Sequence, residues 1–464
     1  MSSTRHREAL EAKYRDRIAV NPNLSRRLVS FQANKDVPLY GLFSYKEGFS
    51  ADMVRMFIRD YPKRAGVILD PFAGAGTTLF SAKECGFDSI GIELLPVGEF
   101  AVLARRAAER VDPDDLRRAV VQLRHSSFDA LPIARRYGFN HIPITENAFP
   151  AETERRLNAF LAYVHEHVEP GDVRTLLIFA AFSILEEISY TRKDGQFLRW
   201  DHRSGRVGTS FRKGGILAFE EALFKKLDRI LADIRSYRMG AGSGTREGAA
   251  MEFRRGSCLE ILPTMQDETI DLVISSPPYC NRYDYTRTYA LELAFLGADN
   301  DAVMGLRQSL LSCTVENREK VDSIRRIYAA NNRLNIFHDA ESAFRSNKAL
   351  HEVLAILGKY HRQKRLNNSG IYRMVKSYFY EHSFVIFEMA RLLKMGGRIY
   401  YVNDNVRYAG EVVPVDLILS EFAETAGLTV NTIYKLPNGK GNSSQQMGKH
   451  GRCEVRKCVY CWEK

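Results

Sequence analysis

The chain has 464 residues, 45% hydrophobic and 27% charged, which is typical of a globular protein and excludes a disordered or collagen-like chain. It contains no apolar run long enough to span a membrane, and its polar, basic start has no signal-peptide core. The seven scattered cysteines favour a reducing, cytoplasmic location over a disulfide scaffold, so we expect a cytoplasmic protein without membrane association. The net charge of +11 suggests a polyanionic partner.

The positive charge is concentrated in two segments. Residues 192–213 carry seven Lys or Arg and two Asp, and residues 302–377 carry fourteen Lys or Arg and six acidic residues. Together they contribute +13, so the rest of the chain is slightly acidic, at −2. The charge therefore belongs to two insertion-like regions and not to the whole surface.

The first predicted elements form a strand–turn–helix–strand unit. A short apolar run at residues 67–69 ends in Asp-Pro and a glycine-rich turn, helical sequence follows over residues 77–85, and residues 89–93 form a second strand. Further along, residues 270–275 predict a buried strand. Residues 384–393 predict an amphipathic helix closed by two glycines at 396–397. Strands are also predicted at residues 398–403, 429–434 and 454–462.

Strands that alternate with helices predict a parallel α/β sheet, interrupted by two mainly helical, basic insertions. The first insertion contains a loop-like basic stretch at residues 192–215. The predicted division assigns the sheet domain to three pieces, with the insertions as candidate DNA-binding regions between them. The pieces of the sheet domain are residues 1–95, 254–297 and 372–464, and the insertions are residues 96–253 and 298–371.

The first motif is Asp-Pro-Phe-Ala-Gly-Ala-Gly-Thr-Thr at residues 70–78. Gly74 and Gly76 let the backbone approach a ligand, and the helix that follows offers free N–H groups. Leu79 replaces the third glycine of a dinucleotide fingerprint, and no Lys follows Gly76, which excludes a P-loop. Glu93, at the end of the next strand, can accept both ribose hydroxyls of an adenosine-type cofactor. The alternative is a tight turn followed by a solvated glutamate.

The second motif is Ser276-Pro277-Pro278-Tyr279, directly after a predicted buried strand. Two prolines fix an extended, rigid turn and leave carbonyl acceptors at the ligand-binding edge of the sheet. Ser276 adds a hydroxyl and Tyr279 a flat face for stacking. Such a site suits a planar group with an exocyclic amino group, such as a nucleobase. A plain Pro-Pro turn is the alternative.

Together these motifs resemble the S-adenosylmethionine (AdoMet)-dependent amino-methyltransferases of DNA. The serine form of the second motif is similar to the cytosine-N4 branch, whereas the adenine-N6 branch usually has Asp. Residues 42–58 resemble the segment that holds the methionine end of AdoMet, and residues 255–260 resemble the motif at its adenine, with Ser257 where the family commonly has Asp. The resemblance implies a Rossmann-like methyltransferase sheet and these AdoMet-binding residues: Tyr45, Phe49, Asp70, Phe72, Gly74, Gly76, Thr77, Thr78, Glu93, Ser257 and Cys258.

The resemblance also implies that Ser276, Pro277, Pro278 and Tyr279 are the catalytic residues. Carbonyls of the motif and the Ser276 hydroxyl would hold the amino hydrogens of a flipped base while its nitrogen attacks the methyl group in line. No covalent nucleophile is needed. Cys280 follows Tyr279 and not a proline, so it is predicted to be a small packing residue rather than the nucleophile of a cytosine-C5 enzyme.

Candidate DNA contacts come from three places. The first basic segment interleaves charged and aromatic residues, the segment after Tyr279 is positioned as a flap over the flipped base, and a polar loop precedes the last strand. The residues concerned are Arg192, Lys193, Gln196, Arg199, Arg282, Tyr283, Asn442, Ser443 and Gln445. A solvated loop, surface tyrosines and a simple hairpin are the respective alternatives. In the second basic segment, Arg325, Arg326, Arg362, Lys364 and Arg365 fit a solvated helical face equally well.

No metal site is predicted. Cys453, Cys458 and Cys461 lack a clear fourth zinc ligand, although His450 is near, and on a strand Cys458 and Cys461 would point to opposite faces.

The sequence therefore predicts a site-specific DNA cytosine-N4 methyltransferase that uses AdoMet and acts on double-stranded DNA. Its place in a restriction–modification system, with a possible cognate endonuclease, follows from the resemblance alone. Methylation of adenine N6 or of a base in RNA on the same fold stays open. A non-catalytic nucleic-acid-binding module is a further alternative, against which Gly74, Gly76, Glu93 and the full second motif argue, since a binding module has no need of them.

Overall fold

The structure is a computed structural model of the chain. It describes the following ranges: residues 4–126, 137–194, 197–206, 208–240, 248–437, 440–441, 450–451 and 453–464.

Helices and strands alternate over much of these ranges. The helices are α1 (Arg5–Tyr14), α2 (Ala51–Asp60), α3 (Thr77–Glu84), α4 (Pro96–Arg110), α5 (Pro113–His125), α6 (Ala151–His167), α7 (Asp172–Ser183), α8 (Leu185–Ile188), α9 (Phe219–Gly240), α10 (Cys258–Ile261), α11 (Tyr285–Thr288), α12 (Ala290–Phe295), α13 (Asn300–Ser309), α14 (Val321–Ala330), α15 (Leu334–Ser346), α16 (Lys348–Arg362), α17 (Ile371–Leu392) and α18 (Val415–Thr425). The strands are β1 (Ile18–Val20), β2 (Val67–Asp70), β3 (Asp88–Glu93), β4 (Thr191–Asp194), β5 (Phe197–Trp200), β6 (Met251–Arg255), β7 (Ile270–Ser275), β8 (Leu393–Asp404), β9 (Val406–Tyr408), β10 (Glu411–Val413), β11 (Thr429–Lys435), β12 (Lys440–Gly441), β13 (Glu454–Val455) and β14 (Lys457–Glu463).

Eight strands form one sheet in the order β6–β3–β2–β7–β8–β14–β11–β1. Of these strands, β14 alone runs antiparallel to its neighbours. The central strand β7 is buried along its whole length, as expected where helices cover both faces of a parallel sheet. The predicted Rossmann-like methyltransferase sheet is confirmed. The predicted strands lie in it, except that the one over residues 454–462 is divided: β13 pairs with β12 in a separate two-stranded sheet, and only β14 joins the large sheet.

The strand order reverses between β2 and β7. From β2 the chain passes through α3 to β3 on one side, and from β7 it proceeds through α17 to β8 on the other. Ligands of open α/β sheets bind at such a switch point, outside the carboxyl ends of the strands. The two sequence motifs follow β2 and β7 directly, so the topology brings them to the same crevice.

The first insertion is mainly helical, but its basic stretch is not the predicted loop. Arg192 lies on β4 and Arg199 on β5, and the two strands pair antiparallel as a hairpin. At the two ends of the insertion, α4 packs against β3 and β6, and β6 pairs with β3 at the edge of the sheet. The predicted boundary after residue 253 therefore falls inside strand β6. The sequence does not reveal this edge strand, because its partly exposed, polar side chains do not form an apolar strand pattern.

The second insertion is helical, as predicted, and it packs directly on the sheet domain. Buried residues of α14, α15 and α16 share a hydrophobic core with α17 and β8. The helix predicted over residues 384–393 is longer, since α17 begins at Ile371, and it is buried on nearly all sides and not amphipathic. The two glycines do not close it, because β8 begins at Leu393 and runs through them, with Gly396 at a positive φ of 73°. Among the helices of the described ranges, none is both long and apolar enough to cross a membrane.

Candidate active site

A cleft with an empty volume of about 820 Å3 lies at the carboxyl ends of β2, β3, β6 and β7. Most of the residues predicted from the two motifs and their flanking segments line it. They are Tyr45, Phe49, Asp70, Phe72, Gly74, Thr77, Glu93, Ser257, Cys258, Ser276 and Pro278. The predicted cofactor residues and the start of the catalytic motif therefore share one cavity.

Glu93 is a cleft residue whose carboxylate is held by two backbone hydrogen bonds. Its Oε2 accepts a hydrogen bond from the Gly74 N–H at 2.9 Å, and its Oε1 accepts one from the Leu95 N–H at 2.7 Å. Each oxygen retains a lone pair for a further donor. Burial raises the pKa of Glu93 to about 7, although these two backbone N–H groups oppose the shift. A carboxylate held in this way can accept the two hydroxyls of a ribose.

The glycine turn brings backbone close to the ligand space. Gly74 has a φ of 53°, and a Cβ there would lie 3.0 Å from Cε1 of Tyr45. Gly76 precedes α3 with a φ of 80°, and a Cβ there would meet Val102 at 2.8 Å. Gly76 thus permits the turn and its packing and does not line the cleft.

Thr78 does not line the cleft either. Its side chain is fully buried, and its hydroxyl donates to the Ile274 carbonyl of β7 at 3.3 Å. Neither residue lines the cleft, so their contact with the cofactor stays a prediction. The helical turn after Gly76 directs Thr77 to the cleft and Thr78 to the sheet, which a linear motif does not reveal.

Asp70 joins the two strands that carry the motifs. Its Oδ1 accepts hydrogen bonds from Ser275 Oγ at 2.5 Å and from the Phe72 N–H at 3.1 Å. Burial raises the pKa of Asp70 to about 6, against the opposing effect of these bonds. Asp70 lines the cleft, but its main structural effect is to fix β2 and the end of β7 relative to each other.

The end of the cleft beside Ser257, where the sequence predicts the adenine, is built partly by the second insertion. The Ser257 hydroxyl donates to the carbonyl of Ser309 at 3.1 Å, and residues 309–311 line the cavity beside it. Sequence reasoning missed these wall residues, together with Leu94 and Leu95. The position of Leu94 and Leu95 directly after Glu93 is a signal that could have found them, whereas residues 309–311 carry none.

A cluster of tyrosines around Glu47 closes the opposite end. Glu47 lines the cleft and accepts hydrogen bonds from the hydroxyls of Tyr283 and, at 2.5 Å, Tyr289. The ring of Tyr289 stacks on Tyr45, with centroids 5.2 Å apart. Tyr285 also lines the cavity. Glu47 and Tyr285 are not among the predicted site residues, although Glu47 lies within the segment at residues 42–58 and Tyr285 is the last residue of the predicted flap, residues 281–285.

The charge of the cleft fits AdoMet. The ionisable lining residues include three carboxylates, Glu47, Asp70 and Glu93, and among the described residues no Lys or Arg lines it. AdoMet carries a sulfonium and an ammonium against one carboxylate, so its net charge is positive. Glu93 offers acceptors for the ribose, and the Gly74 backbone leaves room that a side chain would fill.

The catalytic motif lies between this cleft and the neighbouring strand β8. Ser276 and Pro278 face the cleft, and Ser276 Oγ donates to the hydroxyl oxygen of Tyr279 at 3.1 Å. Tyr279 and Pro277 do not line it. Burial raises the pKa of Tyr279 far above its ordinary value, so its hydroxyl stays protonated. Cys280 is fully buried in the core, as predicted for a packing residue.

The predicted DNA contacts divide into exposed and buried groups. Arg192 is exposed, and Arg199 lies directly opposite it on the hairpin. Lys193 is 7% exposed, and its Nζ donates to Glu292 at 2.6 Å, so its ammonium is paired inside the protein and its contact with DNA stays a prediction. On a strand, neighbouring side chains point to opposite faces, which places Arg192 outside and Lys193 inside.

The remaining DNA candidates lie elsewhere. Arg282 is half-buried beside the catalytic motif with a positive φ of 68°, and Tyr283 is held by Glu47 as described above. The other predicted contacts, Gln196, Asn442, Ser443 and Gln445, lie outside the described residues.

Comparisons with known proteins decide the family. A family model described as DNA methylase matches residues 19–97. The chain is 45% identical over 472 residues to Type II methyltransferase M.AvaI of Nostoc sp. and of Anabaena variabilis, covering 99% of this chain and 94% of the relative. It is 40% identical over 471 residues to Type II methyltransferase M.BsoBI of Geobacillus stearothermophilus, covering 98% and 91%. The chain belongs to the DNA amino-methyltransferase family. No solved structure matches it.

As a DNA amino-methyltransferase, the protein uses AdoMet as its methyl donor, which confirms the predicted cofactor. The family match also confirms the predicted resemblance and favours an enzyme over the non-catalytic binding module. DNA is the substrate class of the family.

AdoMet affinity is expected to fall at low pH through Glu93. The predicted ribose contact needs the carboxylate form of Glu93, and burial raises the pKa of Glu93 to about 7. Lowering the pH from 8 to 6 should therefore raise the AdoMet Kd by about tenfold, measured by isothermal titration calorimetry. Protonation of Asp70, whose pKa burial raises to about 6, should weaken AdoMet binding further as the pH falls below 6.

The matched control for this pH dependence is Glu93→Gln, which cannot titrate. It retains any contribution from titration of AdoMet itself, so the difference between the two profiles belongs to Glu93. Parallel pH profiles for the two proteins would contradict the assignment.

Proposed function

We propose that the protein transfers a methyl group from AdoMet to the N4 amino group of cytosine at a specific site in double-stranded DNA. We further propose that it is the modification enzyme of a type II restriction–modification system, with a cognate endonuclease that cuts the same site. The full-length similarity to M.AvaI and M.BsoBI, both named Type II methyltransferases, supports this role. A cytoplasmic location, where such an enzyme meets its DNA, is part of this proposal.

The observation that carries the cytosine assignment is the Ser-Pro-Pro-Tyr motif at the carboxyl end of β7, with Ser276 facing the cofactor cleft. A serine offers a neutral hydroxyl where the adenine-N6 branch usually has a carboxylate. Pro277 and Pro278 cannot donate backbone hydrogen bonds, so the turn presents carbonyl acceptors at the cleft.

The motif residues act by positioning. Bound AdoMet supplies an electrophilic methyl group on its sulfonium. The carbonyls of Ser276 and Pro277 accept hydrogen bonds from the two amino hydrogens of the target base, which favours a pyramidal nitrogen with its lone pair free. The Ser276 hydroxyl, which contacts the Tyr279 hydroxyl at 3.1 Å, adds a further polar group at that nitrogen. The effect is orientation plus electrostatic stabilisation, without a covalent enzyme intermediate.

The target base must leave the duplex to reach this site, because its amino group is inaccessible inside a stack. Tyr279 provides the aromatic face on which the flipped base stacks. Arg282 and Tyr283 follow Tyr279 within four residues of the chain. The Tyr283 hydroxyl donates to Glu47 at the cleft, which holds this segment beside the site. Arg282, with a buried Nε that no described residue hydrogen-bonds, is proposed to contact a phosphate beside the flipped nucleotide.

The β4–β5 hairpin is proposed as a second DNA contact. Arg192 and Arg199 are direct cross-strand partners, and like charges placed opposite each other are unfavourable unless an anion is near. Asp194 neutralises part of the charge through its bond to Arg199 at 2.9 Å. A phosphate between the two arginines would relieve the rest.

Mass spectrometry of nucleosides tests the proposed function. DNA from a library of random sequence is incubated with the protein and AdoMet, digested and analysed. N4-methylcytosine supports the proposal, and sequencing of the methylated positions then maps the site. N6-methyladenine would overturn the base assignment, and methylation confined to RNA would overturn the substrate.

DNA affinity should depend steeply on salt through the hairpin. Each phosphate contact contributes about −0.9 to the slope of log K against log salt concentration. The double substitution of Arg192 and Arg199 with alanine is expected to reduce the magnitude of that slope by about two, measured by fluorescence anisotropy between 50 and 200 mM salt. Arg117→Ala, an exposed arginine of α5 outside both basic segments, is the control. An unchanged slope in the double variant would remove the hairpin from the interface.

A further inference from the structure

A polar pair lies on the side of Tyr279 that faces away from the AdoMet cleft. Asp404 is the last residue of β8, Lys457 is the first residue of β14, and the two are direct cross-strand partners. Because β14 is antiparallel, its first residue lies at the same edge of the sheet as the carboxyl ends of β7 and β8. Neither residue lines the AdoMet cleft. They therefore border the catalytic motif from the opposite side.

The pair faces Tyr279 directly. Nζ of Lys457 lies 5.6 Å from the centroid of the Tyr279 ring and 3.6 Å from Oδ1 of Asp404. Burial and then the charge of Asp404 raise the pKa of Tyr279. An aromatic group stacked on Tyr279 would have its centroid about 4.5–7 Å from that of the tyrosine ring, so the Lys457 ammonium, at a comparable distance, borders the space that such a group would take.

The burial of the pair is uneven. Asp404 is 8% exposed, and its Oδ1 has no hydrogen-bond partner among the described residues. Burying such a carboxylate is costly unless a cation or a donor satisfies it, and Lys457 is the cation beside it. The side chain of Lys457 is 17% exposed, and its separation of 3.6 Å from the carboxylate is too long for a hydrogen bond. The ammonium therefore keeps N–H donors available for a further acceptor.

We infer that Lys457 recognises the target base by donating a hydrogen bond to the N3/O2 edge of cytosine, and that Asp404 positions its ammonium. This inference rests on the proposed function. Ser276 and Pro277 account for the amino group of a flipped cytosine and Tyr279 for its ring, which leaves the two acceptors next to the amino group without a donor. Lys457 supplies one within reach of a base stacked on Tyr279.

The same contact explains selection against adenine. Beside its amino group adenine presents one ring acceptor and then a C–H, whereas cytosine presents a ring nitrogen and a carbonyl oxygen. A lysine set against the carbonyl would be left without an acceptor by adenine, and burying an unsatisfied charged donor is unfavourable. Lys457 is therefore a specificity-determining residue of the base site.

The test combines a substitution with altered bases. Lys457→Met keeps the length of the side chain and removes the donor. Its single-turnover methylation rate is measured on duplexes that carry the mapped site with cytosine, with 3-deazacytosine, which lacks N3, or with 2-thiocytosine, in which a weaker acceptor replaces O2. We expect about a hundredfold loss with cytosine and less than about a fivefold loss with at least one analogue, because the analogue has already lost the contact.

Three further measurements fix the interpretation. Lys457→Arg, which keeps a charged donor, should recover part of the rate on cytosine. Asp404→Asn should reduce the discrimination between cytosine and the same analogue. The AdoMet Kd should be unchanged in all variants, and Lys435→Met, a half-buried lysine of the adjacent strand β11, should behave like the parent protein.

Two results would overturn the inference in different ways. If the Lys457 variant lost the same amount of rate on cytosine and on both analogues, or bound AdoMet more weakly, Lys457 would act on the fold or on the cofactor site. In that case N4-methylcytosine produced by the parent protein would still support the proposed function. N6-methyladenine from the parent protein would overturn both.

Discussion

Replacing Tyr279 with alanine should reduce the rate of methyl transfer by about a hundredfold while DNA affinity changes by less than about threefold. Stacking of a base on an aromatic side chain is worth about 1–3 kcal/mol, and a displaced target base loses the in-line geometry as well. DNA affinity is set mainly by phosphate contacts elsewhere, so it should change little. Single-turnover methylation with radiolabelled AdoMet and fluorescence anisotropy with the same duplex measure the two quantities.

The control is Tyr279→Phe. It keeps the ring and removes only the hydroxyl that contacts Ser276 at 3.1 Å, so we expect less than about a tenfold loss of rate, in keeping with one hydrogen bond. Pro277→Ala should resemble Tyr279→Ala, because it frees the turn that presents the carbonyls. Losses of rate and of DNA affinity that match each other would show that Tyr279 holds the duplex and not the flipped base.

The sheet and the crevice could be predicted because their signals are local. Buried parallel strands are short apolar runs, and each motif follows such a run at the point where the sheet presents ligands. Asp70 and Ser276 are 206 positions apart in the chain, yet both could be assigned to one edge from strand order alone. The structure adds the hydrogen bond from Ser275 to Asp70, which joins those strands.

The cleft walls could not be predicted, because they come from segments without a motif. Residues 309–311 reach the cleft wall beside Ser257 only through the packing of the second insertion. Glu47 is held at the cleft by hydrogen bonds from two tyrosines that lie more than 230 positions away in the chain. Such long-range contacts leave no periodicity in the sequence. Sequence patterns predict which residues lie at the end of a strand, whereas tertiary packing determines which residues from other segments lie opposite them.

Side-chain direction is the other feature that the sequence does not reveal. Lys193 and Arg192 are adjacent basic residues, but neighbouring side chains of a strand point to opposite faces, and Lys193 is buried. Thr77 and Thr78 are also adjacent, and the first turn of α3 places only Thr77 at the cleft. In both cases the local backbone decides which side of the element a residue faces.

Replacing Glu93 with alanine should weaken AdoMet binding by at least about a hundredfold. Two charge-assisted hydrogen bonds to ribose hydroxyls would be lost, each worth about 1.5–3 kcal/mol. The substitution also leaves the N–H groups of Gly74 and Leu95 without their acceptor, so the free enzyme should be less stable as well. Isothermal titration calorimetry gives the Kd, and the Tm without AdoMet gives the loss of stability.

Glu93→Gln separates the two effects, because its amide oxygen can still accept one of the two backbone hydrogen bonds. It should keep most of the Tm and still lose much of the AdoMet affinity, since a neutral amide accepts more weakly than a carboxylate and has only one accepting oxygen. Glu99→Ala removes a carboxylate of α4 that pairs with Arg255 at the end of β6 and lies outside the cleft, and it should leave AdoMet affinity unchanged. If Glu93→Gln lost stability but bound AdoMet normally, Glu93 would be a brace for the glycine turn, and the ribose would have to be held by another group in the cleft.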